Sequence, residues 1–162
     1  MLAGPAPFDQ AVIMYQTIVV AYDGTEPGEA ALQQGAALAR MCQAQLHVLG
    51  VVVSAGGMLL DPAIVPFELV ETERQVLQTA MTEIVQTLGR QVTPALTVIR
   101  DGEPAREIIA YVHEVKADLV VIGHSHQGLL ARWFDTSVGT LVLDAMPCSV
   151  LVAIDADATP TR

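Results

Sequence analysis

Leu119-Val120-Val121-Ile122-Gly123-His124-Ser125-His126-Gln127-Gly128 is the stretch on which the fold turns. Its first four residues are aliphatic without a break and show no polar alternation. That is the pattern of a strand buried on both faces. Asp118 precedes the run, and Gly123 opens a loop read as far as Asp135. A doubly buried strand needs a layer above and a layer below. In a chain of 162 residues those layers are helices packed on a parallel sheet.

The surroundings repeat the same unit. Upstream, Asp101-Gly102-Glu103-Pro104 is a turn into a helix carrying Ile108, Ile109, Val112 and Val115, and Ala95 to Ile99 is a third strand. Further back, a helix runs from about Phe67 to Arg90 with Leu77, Ala80, Met81, Ile84 and Leu88 on one face. Residues 54–66 hold Gly56, Gly57, Pro62 and Pro66 and read as a loop; Leu46 to Val53 is the second strand. The first strand is Thr17 to Tyr22, stopped by Asp23-Gly24. Thr25 can cap the next helix, Pro27 suits its first turn, and Leu32, Ala36, Ala39 and Cys42 follow at helical spacing. Downstream, Ser137 to Ala145 reads as a short helix with Val138, Leu141, Val142 and Ala145 inward. Pro147 ends it, and Cys148 to Ile154 is the fifth strand.

Alternating strands and helices predict an open α/β domain with five parallel strands in the order 3-2-1-4-5 and helices on both faces. Such a flavodoxin-like or Rossmann-like sheet takes ligands beyond the carboxyl ends of its strands, where the strand order reverses. Here that point lies between the first and fourth strands, which directs attention to Asp23 to Thr25 and Gly123 to Ser137. Residues 1–15 read as an extension, 16–155 as one domain and 156–162 as a tail.

Composition removes several function classes. Eight Lys and Arg against 18 Asp and Glu give a formal charge of −10, the wrong sign for nucleic acid or for an anionic membrane surface. No apolar run reaches the length of a membrane span, and no basic segment precedes the apolar start as in a secretory signal. Cys42 and Cys148 form no C-x-x-C pair and read as two free, buried thiols in a reduced compartment, so a cytoplasmic location is expected.

The loop after the fourth strand makes the reading specific. Val121 to Gly128 resembles the universal stress protein family, in which this strand runs into G-x-x-G-x9-G-[ST]. The resemblance extends from Thr17 to Ile154: Asp23-Gly24-Thr25, the Leu46-His47-Val48-Leu49 strand, Gly102-x-Pro104, Ser137-Val138, and Pro147-Cys148 before a Val-rich last strand. It implies an adenine-nucleotide site in which Asp23 stands near the ribose, Val48 lines the adenine, and Ile122, Gly123, His126, Thr136, Ser137 and Val138 complete the lining. The sequence departs from the motif at two places. The second glycine falls on His126 and the third on Thr136, while Ser137 keeps its register. A Cβ then stands where backbone would approach phosphate, and Thr136 can cap the last helix with its own hydroxyl. A frame through Gly128 and Gly139-Thr140 needs an insertion and is rejected.

Other residues read more plainly. His124 and His126 have no third ligand at metal-binding spacing, so no metal is expected. His126 can donate to a phosphate, and Arg132 can either meet a phosphate or solvate the loop. Trp133 and Phe134 read as packing anchors. No nucleophile can be assembled with a base and an orienting group, so an enzyme is not expected. Two functions stay open. One is a stress-response or signalling domain binding ATP, AMP or another adenine nucleotide. The other is an interaction module of the same fold, without ATP and without a cofactor. The resemblance also implies a homodimer through Cys148 to Ile154; the sequence names no protein partner.

Overall fold

The structure, a computed structural model, describes residues 14–52, 67–88, 95–124 and 145–154. The elements in order are β1 (Thr17–Tyr22), α1 (Glu26–Cys42), β2 (Gln45–Val52), α2 (Phe67–Leu88), β3 (Ala95–Asp101), α3 (Pro104–Glu114), β4 (Leu119–His124) and β5 (Ser149–Ile154). All strand pairs are parallel and the order is β3-β2-β1-β4-β5, as expected. The helix expected over Ser137 to Ala145, the loop over 54–66 and both termini lie outside the described residues.

Each strand splits its apolar run between two cores because successive side chains point to opposite faces. Ile18, Val20 and Tyr22 of β1 join Leu46, Val48 and Val52 of β2 beneath α1 and α2. Val19 and Ala21, with Leu49, Val120 and Ile122, meet Ala105, Ile108, Tyr111 and Val112 of α3. Leu77 and Met81 anchor α2, with Ala80, Ile84 and Leu88 beside them, which is the face read from the sequence.

The strand starts are tied together away from the carboxyl ends. The Asp118 carboxylate accepts hydrogen bonds from the amides of Gln16 (2.8 Å) and Thr17 (3.2 Å) and so fixes the entry of β1 beside β4. Two strands run on two residues further than expected. β4 continues through Gly123 and His124, where a loop is expected from the sequence, because they pair with Ala153 and Ile154 of β5. β3 continues through Arg100 and Asp101, which pair with Val51 and Val52. Cys42 and Cys148 are free thiols, half-buried rather than buried. Among the described residues no helix is long and apolar enough to cross a membrane.

Candidate functional site

At the carboxyl end of β1 the chain turns sharply into α1. Gly24 has φ +78°, in the left-handed region where a glycine carries no side-chain penalty. Asp23 Oδ1 accepts from the Thr25 amide (3.1 Å) and from the Thr25 hydroxyl (2.6 Å). That hydroxyl in turn accepts from the Gly28 amide (3.3 Å), and the Glu29 amide donates to the Thr25 carbonyl (2.9 Å). Thr25 is thus the N-cap of α1, as its position in the sequence suggested. Its hydroxyl proton is committed to Asp23 and its lone pair to Gly28, an arrangement for capping and not for nucleophilic attack.

Gly123 reaches this turn from the other side of the sheet's switch point. A Cβ on Gly123 would stand closer than 3.0 Å to the Pro27 carbonyl and to the Gly28 nitrogen. The glycine lets β4 lie against the first turn of α1, and its Cα side faces protein backbone.

A cleft of about 930 Å³ opens beside this junction. Ala21, Asp23 and Gly24 from β1 and its turn, with Leu49 and Val51 from β2, form one end. Glu29, Leu32 and Gln33 of α1 face Glu73, Leu77, Glu83 and Ile84 of α2 along the rest. Asp23, Glu29, Glu73 and Glu83 all line the cleft, and no Lys, Arg or His does so among the described residues. Tyr22 also lines it although only 5% exposed. Burial, followed by the carboxylates of Glu29, Asp23 and Glu83, pushes the Tyr22 hydroxyl above its ordinary pKa.

The expected site residues divide. Asp23 lines the cleft. Val48 is fully buried between sheet and helices, and its place in the cleft wall is taken by Leu49 and Val51. Ile122 is buried against α3, and Gly123 is packed on α1. His126, Thr136, Ser137 and Val138 lie outside the described residues, as do Arg132, Trp133 and Phe134. Sequence reading passed over Val51, Tyr22 and the α2 carboxylates. Val51 stands one residue past Gly50, the register partner of Tyr22, and so at the carboxyl end of β2 level with the start of the Asp23 turn.

One buried polar group lies apart from the cleft. His47 of β2 is 5% exposed, its Nδ1 stands 2.8 Å from the Tyr111 hydroxyl, and its Nε2 is buried without a partner. Burial lowers its pKa, so the ring is held neutral. Arg100 stacks on the Tyr111 ring at 4.9 Å and pairs with Glu107 and Glu114. Burial, then the nearby Asp118, raises the Cys148 pKa, which keeps that thiol unreactive. Among the described residues no three His, Cys, Asp or Glu side chains converge on a metal position.

Comparison with known proteins gives a consistent result. The model of the universal stress protein family matches residues 14–153. A universal stress protein of Synechocystis is 31% identical over 141 residues, which is 87% of each chain. The solved structure of the universal stress protein UspA from Lactobacillus plantarum superposes with a TM-score of 0.70 at 28% identity, covering 86% of this chain and 97% of that one. A universal stress protein family protein from Arabidopsis thaliana with AMP bound superposes with a TM-score of 0.58 at 19% identity, over 90% of this chain and 96% of that one.

Proposed function

The chain belongs to the universal stress protein family, and from that premise we propose that it is a stress-response or signalling domain that binds an adenine nucleotide beside the switch point between β1 and β4. The observation that carries this reading is the end of the cleft where Ala21, Leu49 and Val51 make an apolar wall next to the Asp23 carboxylate. A purine buries its ring on such a wall, and ribose hydroxyls donate to such a carboxylate. Asp23 uses Oδ1 in its own turn, while its other oxygen has no partner among the described residues. The Arabidopsis protein of the same fold, with its bound AMP, supports an adenine ligand.

The phosphate end is less well provided. In the first turn of α1 the amides of Gly28 and Glu29 are already taken by Thr25, Pro27 has no amide proton, and the cleft is lined by carboxylates. In the sequence of residues 125–144, His126 and Thr136 stand where the family motif has glycines, and Arg132 is the one Lys or Arg. This balance favours a ligand with little phosphate, AMP over ATP. The test is to denature the purified protein, assay the supernatant for adenine nucleotides, and titrate AMP, ATP and cyclic AMP back by calorimetry. AMP is expected to give heat and ATP to bind more weakly. His126→Gly combined with Thr136→Gly is expected to raise ATP affinity. No nucleotide released and no heat from any of them overturns the reading.

A second reading has its own observation. Val152 and Ile154 of the outer strand β5 are 40% and 64% exposed. They suit an interaction module that pairs with a second copy through that edge, with or without a ligand.

A further inference from the structure

The stretch of the cleft between α1 and α2 carries a charge pattern that the nucleotide reading leaves unused. Tyr22 is nine-tenths buried, faces this space, and makes no hydrogen bond with any described residue. Carboxylates from three separate elements bear on it: Asp23 from the turn after β1, Glu29 from α1 and Glu83 from α2. Glu73 adds a fourth along the same helix. None of Glu29, Glu73 and Glu83 has an ion-pair partner among the described residues, and Arg74, the cation nearest them in sequence, is engaged by Asp101. Beneath the carboxylates the walls are aliphatic, from Leu32, Leu77, Ile84 and Leu88.

We infer that this stretch binds an organic cation with an aliphatic body, its ammonium held by Glu29, Glu83 and the Tyr22 hydroxyl. The chemistry follows from the parts. An ammonium donates to two carboxylates and to the phenol oxygen, while the phenol proton serves a carboxylate. The aliphatic body covers Leu77 and Ile84 and leaves water. An anion of the same shape meets repulsion from every charged group in the lining, and a neutral one gains only from burial. The inference needs neither the base wall at Leu49 and Val51 nor residues 125–144, so it stands or falls apart from the nucleotide reading.

The experiment is a titration of the isotope-labelled full chain with hexylammonium chloride, 1-hexanol and sodium hexanoate, followed by amide chemical shifts. These probes share one tail and differ in the charge of the head. Hexylammonium is expected to bind about tenfold tighter than hexanol, with hexanoate weakest, and the shifts to centre on Tyr22, Leu77 and Ile84. Added salt weakens hexylammonium alone. Glu29→Gln with Glu83→Gln, both exposed positions, brings hexylammonium to the level of hexanol and leaves hexanol unchanged. Tyr22→Phe costs about threefold for hexylammonium alone. Equal binding of all three probes, tightest binding of hexanoate, or shifts centred elsewhere overturns the inference. AMP titrated in parallel keeps the two readings distinct: silence from AMP alone retires the nucleotide, and silence from hexylammonium alone retires the cation.

Discussion

Gly123 shows how one retained residue can carry a different reason from the one its motif suggests. In the motif it brings backbone close to phosphate. In the fold its missing side chain admits the Pro27 carbonyl and the Gly28 nitrogen, both of them backbone that cannot rotate aside. Gly123→Ala is therefore expected to destabilise the ligand-free protein by about 3 kcal/mol, near the upper end for overpacking, measured as a lower urea midpoint at unchanged slope. An alanine variant as stable as the parent but with weaker nucleotide binding would return the residue to the phosphate role. Asp23 is a parallel case, since one of its oxygens orders the turn and caps the capping residue. Asp23 was legible in the sequence because turn chemistry is local. The choice between Val48 and Val51 was not. In an unbroken apolar strand the sequence has no polar mark to say which residue reaches the carboxyl end of the sheet. Only the pairing of Val20 with Val48 and Tyr22 with Gly50 sets that height.

Elements were read well where they carried their own signals. Thr25 and Pro27 announced α1, the apolar spacing of Leu77, Met81 and Ile84 fixed the inward face of α2, and Glu103 with Pro104 opened α3, where the Glu103 carboxylate accepts from the amides of Ala105 and Arg106. Boundaries set by a neighbouring strand were missed. Gly123 looks like a stop, yet pairing with β5 carries β4 two residues beyond Ile122. The link between β2 and α3 was equally hidden, because a histidine in an apolar strand does not say which helix will meet it. His47 meets Tyr111 there, and burial holds its pKa below the ordinary value. The sign of the pH effect follows. Between the lowered native pKa and the unfolded value of about 6.5, the unfolded chain binds a proton that the native chain refuses, so stability falls as pH drops through that window and is whole above it. His47→Phe removes this contribution. Urea midpoints compared across pH 5 to 7, a range of about two units around the unfolded pKa, should therefore show a shallower fall for the variant than for the parent, whatever their absolute stabilities. Equal slopes would mean that His47 does not titrate with unfolding.

At the scale of the whole molecule the sheet has two edges, and they are finished differently. β3 ends in Arg100 and Asp101, which pair with Glu107 and Glu114 and with Arg74 and so surround that edge with charge. β5 runs Ser149-Val150-Leu151-Val152-Ala153-Ile154 without a charged residue, and Val152 and Ile154 stand exposed on it. A strand edge with free amides, carbonyls and apolar side chains is a template for another strand, and natural edges that stay single are guarded by charge, as β3 is. We propose that β5 pairs antiparallel with β5 of a second copy, which buries both apolar pairs about a two-fold axis. The chain's charge of −10 opposes this association, so added salt should tighten the dimer by screening the repulsion between copies. Sedimentation at micromolar concentration is expected to give a dimer, and Val152→Lys with Ile154→Lys to give a monomer of unchanged circular dichroism. Both side chains stand exposed on one face of β5, which pairs with β4 through its backbone, so the substitution leaves that pairing in place. A parent chain that sediments as a monomer at these concentrations, in low and high salt alike, removes the dimer and leaves β5 a bare edge that needs another partner.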